Sequence, residues 1–130
     1  SGAPGPVGTL EVALDHAARL IERDPALAAE QAEEILRAVP RHPVALLLLA
    51  RARRAAGDPH AAIGILEPLA AAQPLAADVH HELALALGEA GRGEAAVTSL
   101  RRALQLRPDL GDGWRVLGDH LTAIGDTAGA

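Results

Sequence analysis

The chain of 130 residues is 49% apolar yet holds a single aromatic residue, Trp114, and no Phe, Tyr, Met or Cys, so its core must be built from Leu, Ala, Val and Ile. The lack of cysteine excludes disulfides and thiolate metal sites. A net charge of −5, with arginine in place of every lysine, argues against a general nucleic-acid binder, which needs clustered basic surface and often aromatics for stacking.

Residues 1–8, SGAPGPVG, carry neither a basic region nor a long apolar block, so they show no secretion signal and read as a flexible lead. From there Leu10, Ala13, Leu14, Ala17, Leu20 and Ile21 recur at helical spacing, with Thr9 the expected N-cap and an end near Arg23. Asp24 and Pro25 supply a cap followed by proline at the first helical position, and Ala28, Ala32, Ile35, Leu36 and Val39 mark the next helix, stopped by Pro40. The run Val44 to Ala50 is the longest purely apolar stretch. It is far shorter than a bilayer span and is closed by Arg51, so it reads as a buried helix start and implies no membrane. Without a signal or a span, the cytoplasm is the favoured compartment.

The cap-and-proline device returns at Asp58 and Pro59 before a further helix. That helix holds Gly64 and Pro68 in its interior, so a kink or a shortened first turn is expected between them. Residues 77–110 then give two well-patterned helices around the break EAGRG, and a last helix starts after Gly111. The alanine and leucine content, with few of the residues that strands prefer, selects an all-α fold throughout.

Sliding the chain along itself by 34 residues superimposes Gly57, Gly91 and Gly125, then Leu49, Leu83 and Leu117, then Pro40, Pro74 and Pro108. A fixed period of this length is the mark of a solenoid, whose units bury their apolar faces only by stacking. The repeat units span 9–42, 43–76, 77–110 and 111–130, all within one domain. The last unit is cut short, because Ala130 falls where Ala96 and Ala62 begin the second helix of theirs; this points to a longer protein.

In these columns Trp114, Leu117, Gly118, Leu121, Gly125, Asp126 and Ala130 resemble the tetratricopeptide repeat, as do Leu83, Ala84, Leu87, Gly91, Ala96, Leu100, Ala103 and Pro108. The unit 43–76 resembles it at Leu49, Ala50, Gly57, Ala62, Leu66 and Pro74, with Arg53 where a large residue is usual. The resemblance implies a right-handed superhelical solenoid of antiparallel helix pairs, about three and a half repeats long, that acts as a protein-binding scaffold. A narrower stretch, GWRVLGDHLTAIGDTAGA, resembles the repeat region that precedes a sulfotransferase domain in some bacterial proteins. That would make the chain the non-catalytic part of a larger transferase, serving substrate positioning or oligomerisation. No residue of a nucleotide-binding phosphate loop is present to perform the transfer.

The resemblance also places the first helix of each pair along a concave groove for a protein or peptide. Helical spacing then sets Leu47, Arg51 and Arg54 on one face, His81 and Leu85 on the next, and Arg115, Asp119 and Thr122 on the third. The arginines make the middle of that groove more basic than the whole chain, which suits an acidic segment of a partner. The competing reading is a set of solvated charged faces. The family's carboxylate clamp for chaperone tails uses lysine and asparagine, absent at these positions, which speaks against that ligand. His80 and His81 are adjacent and so project about 100° apart, unlike an i, i+4 chelating pair. Ser99 has no evident base. The sequence therefore implies no cofactor, no metal and no catalysis. With the last unit cut short, Val116, His120 and Ile124 form an uncovered stripe, and self-association through the C-terminal end is expected.

Overall fold

A computed structural model of the chain describes residues 6–111 together with 115 and 119. Six helices occupy the described residues: α1 Pro6–Leu20, α2 Pro25–Ala38, α3 Pro43–Ala55, α4 Pro59–Ala72, α5 Ala77–Glu89 and α6 Gly93–Leu106. No strand occurs among them, and none of these helices is long and apolar enough to cross a membrane. The chain groups into two compact bodies that divide between Asp58 and Pro59.

In the first body α2 packs against both α1 and α3. Its helix ends follow the cap chemistry of the sequence. The Asp24 carboxylate accepts from the Leu27 N–H at 3.2 Å, with Pro25 in the first turn where its missing N–H is not needed. The same economy starts α1 at Pro6, which corrects the expected cap at Thr9; Thr9 lies inside the helix, and the helix ends at Leu20, ahead of Arg23. Ala17, Ala28, Ala32, Ala45 and Ala50 are fully or almost fully buried, and side chains this small let the helices approach closely.

In the second body α5 packs between α4 and α6. Leu100 and Leu104 of α6 join Ala84 of α5 and Val97 in a buried cluster that Leu110 partly covers. Ala62, Ala96 and Ala103, the expected small packing residues, have no exposed surface. α4 runs unbroken from Pro59 through Gly64 and Pro68, so the expected shortening does not occur. The carbonyl that Pro68 cannot pair with is four residues earlier, at Gly64, and both residues are exposed, so water can take up that carbonyl.

The 34-residue period reappears as a repeated turn. His42 N–H donates to the Val39 carbonyl (3.2 Å), Ala76 to Gln73 (3.1 Å) and Leu110 to Arg107 (3.2 Å), each across a proline in the second position. The helix ends recur as well. Gly57 and Gly91 take φ of +88° and +80°, with Gly57 N–H donating to Arg54 and Asp58 N–H to Arg53, and Gly91 to Gly88 and Arg92 to Leu87. These are Schellman closures, which need the left-handed backbone that glycine adopts without strain.

Candidate functional site

The anticipated binding residues fall in both bodies. In the first, α3 begins at His42, whose ring Nδ1 accepts from the Ala45 N–H at 3.3 Å, with Pro43 at the first helical position. Asn, Asp, Ser or Thr is the usual residue at such a cap, so the sequence reading missed histidine in that role. Along α3, Leu47 is 6% exposed and presents almost no surface to a partner. Arg51 and Arg54, one turn further and three residues apart, are half-buried on one face. Each already holds an interaction within the chain.

Arg53, on the neighbouring face of α3, reaches Glu33 of α2 at 3.0 Å. Both ends of this pair are more than a third exposed, so it fixes a side-chain position more than it stabilises the fold. Glu33, Leu36 and Arg37 of α2 and Leu49 of α3 line an open groove of about 320 Å³ beside it.

In the second body His81 and Leu85 of α5 are half-buried, four residues apart on one face. The His81 Nε2 atom is buried and meets no protein hydrogen-bond partner. His80 turns elsewhere: its Nε2 lies 2.9 Å from the Pro74 carbonyl, which accepts from the N–H tautomer and ties the ring to the turn before α5. The two histidines thus serve separate surroundings. Among the described residues no group of three or more His, Cys, Asp or Glu could hold a metal ion.

Glu82 is a buried charged residue, 6% exposed, that the sequence reading passed over. The signal was available, since Val79, Glu82, Leu83 and Ala86 follow helical spacing and all are buried. It holds an interaction within the chain, as a buried carboxylate must. Arg115 and Asp119 are helical and exposed. Thr122 and the stripe Val116, His120 and Ile124 lie outside the described residues.

Charge is divided unevenly between the bodies. The chain up to Asp58 carries eight acidic residues and seven arginines, and the chain from Pro59 nine and five. The first body is therefore near neutral and concentrates three arginines on the last two turns of α3, while most of the net negative charge lies in the second.

Comparison with known proteins completes the picture. No curated protein matches the chain in sequence. Solved structures match its fold. The tetratricopeptide domain of Sgt2 from Aspergillus fumigatus has 18% identity and a TM-score of 0.88 over 98% of this chain and 85% of that one. MamA from Desulfovibrio magneticus has 21% identity and a TM-score of 0.80 over 90% and 67%. An O-GlcNAc transferase variant from Thermobaculum terrenum has 28% identity and a TM-score of 0.84 over 92% of this chain, which spans only 23% of the transferase. The narrower likeness to sulfotransferase-linked repeats rests on residues 113–130, and none of these structures bears on it. The tetratricopeptide-repeat model matches residues 47–110 and 81–130, which together make up more than half of the sequence. With its six described helices, its 34-residue turn period and that match, the chain belongs to the tetratricopeptide-repeat family.

Proposed function

We propose that this chain is a non-catalytic interaction scaffold that receives an acidic segment of a partner protein, with Arg51 and Arg54 of α3 as the receiving charges. The observation that carries the reading is that Arg51 and Arg54, both half-buried, share one face of α3 in a near-neutral body. Partly desolvated arginine pairs with carboxylate in a bidentate, charge-assisted way that an exposed arginine does not match. His81 and Leu85 of α5, with Arg115 and Asp119, are proposed separately as contact positions of the second body.

The test is a fluorescence titration with a glutamate-rich peptide and its glutamine counterpart. The expected result is preference for the acidic peptide, weakened about tenfold or more when Arg51, Arg54 and Arg115 are all changed to Ala, with helicity by circular dichroism unchanged. Equal binding of both peptides, or undiminished binding by the helical triple variant, would overturn the reading.

A second reading is favoured by the 28% identity to a repeat region that forms part of a transferase. In it, the chain is one section of a larger enzyme and positions a substrate for a domain encoded beyond it. The full-length reading frame decides: a stop codon directly after Ala130 sinks this alternative.

A further inference from the structure

In the first body Arg53 lies beside the groove, its guanidinium on the lining residue Glu33. Arg53 stands 34 residues before Leu87, in the same repeat column, and Leu87 is buried at 2% exposure. The Arg53 side chain is 39% exposed, and its head is held 3.0 Å from Glu33. Where the later repeat packs a leucine, this one sends a charged chain to the rim of a groove whose apolar surface comes from Leu36, half-buried, and Leu49, 9% exposed.

The charges around that surface are already matched. Glu33 is paired with Arg53, and Glu34 with Arg37. A charged side chain entering the groove would lose hydration without finding an unmatched partner, whereas an uncharged one loses little. Two guanidinium groups at the rim add attraction for the face of an aromatic ring. We propose that this groove between α2 and α3 is a second, independent docking site, one that takes an uncharged aromatic side chain from a partner protein. It uses neither Arg51 nor Arg54, and so it stands whether or not the acidic-segment reading does.

The experiment is a titration of the ¹⁵N-labelled protein with N-acetyl-tryptophanamide and, separately, N-acetyl-leucinamide, followed by amide chemical shifts. The tryptophan probe is expected to bind in the millimolar range, with shifts confined to Glu33 through Arg37 and Leu49 through Arg53. The leucine probe should bind about threefold more weakly, the loss corresponding to a cation–π contact at an exposed site. Arg53→Leu removes the guanidinium held at Glu33 and Arg37→Gln the one on the lining, and each should reduce affinity about twofold while leaving the apolar surface. Absence of shifts in the native protein, shifts centred elsewhere, or equal affinity for the two probes would each overturn the proposal. So would unchanged binding by a folded Arg53→Leu variant. Should that variant not fold, the native titration and Arg37→Gln decide.

Discussion

Arg41 occupies a backbone conformation that its side chain disfavours. Its φ is +68°, the one positive value among the described residues other than glycine, and it follows Pro40 in the turn closed by His42 N–H on the Val39 carbonyl. A proline followed by a left-handed residue is the arrangement that glycine normally fills. The counterparts, Leu75 after Pro74 and Asp109 after Pro108, keep negative φ, so the strain belongs to the first turn alone. Replacing Arg41 with Gly should remove a left-handed penalty of about 1–2 kcal/mol, offset in part by the larger entropy of glycine in the unfolded chain. A net gain of about 0.5–1 kcal/mol is expected in chemical denaturation, and a loss of stability would show that the Arg41 side chain makes contacts that outweigh the strain. At this scale the sequence is readable where a residue's role follows from its own chemistry. Asp24 as a cap, Pro25 in a first turn and Gly57 and Gly91 at helix ends are of that kind. His42 as a cap and Arg41 in a glycine position are not, because each depends on how the surrounding turn sets the backbone.

The elements themselves were legible because their signal is redundant. Apolar spacing marks α2, α3, α5 and α6, helped by Asp24 and Pro25 at α2, Pro43 at α3 and the glycine break between α5 and α6, and the 34-residue period repeats the pattern. α4 is where local rules conflict. Its overall apolar character and its repeat position call for a helix, while Gly64 and Pro68 oppose one, and the helix forms across both. Tertiary packing supplies the reason: Ala62, Ile63, Leu66, Leu69 and Ala70 are buried along one side, while the two offending residues are exposed on the other. Because they are exposed, they can be replaced without disturbing the core. A Cβ at Gly64 would meet no heavy atom within 4 Å, so Gly64→Ala should stabilise by about 1 kcal/mol through helix propensity alone. Pro68→Ala restores the N–H to the Gly64 carbonyl and should add a comparable or larger gain, reduced by the freedom that alanine gives the unfolded chain. Urea midpoints measure both. If Pro68→Ala destabilises, the proline is held by contacts that compensate its missing bond. The candidate site was less legible than the helices. Periodicity put Arg51 and Arg54 on one face, but the burial of Leu47 and the reach of Arg53 to Glu33 depend on a neighbouring helix that no local pattern specifies.

At the scale of the molecule, the net charge and the local charge oppose each other, and that opposition makes a further prediction about the acidic-segment reading. An approaching acidic peptide first meets the field of a chain with net charge −5, and only at close range the arginines of α3. Long-range repulsion is screened beyond about 10 Å at 0.1 M salt, while partly buried contact pairs are screened much less. Adding salt should therefore leave the association rate of a glutamate-rich peptide unchanged or raise it, because repulsion is removed before attraction. The dissociation rate should rise only at higher salt, where the contacts to Arg51 and Arg54 weaken in turn, and the affinity falls there through dissociation. Stopped-flow measurements of both rates across an ionic-strength series separate the two effects. An association rate that drops steeply with salt would mean that a positive local field steers the encounter from a distance. The receiving surface would then have to extend well beyond two arginines on one helix face. The triple arginine variant provides the control, since losing three positive charges makes the chain more negative and should slow association most at low salt, where that charge is least screened.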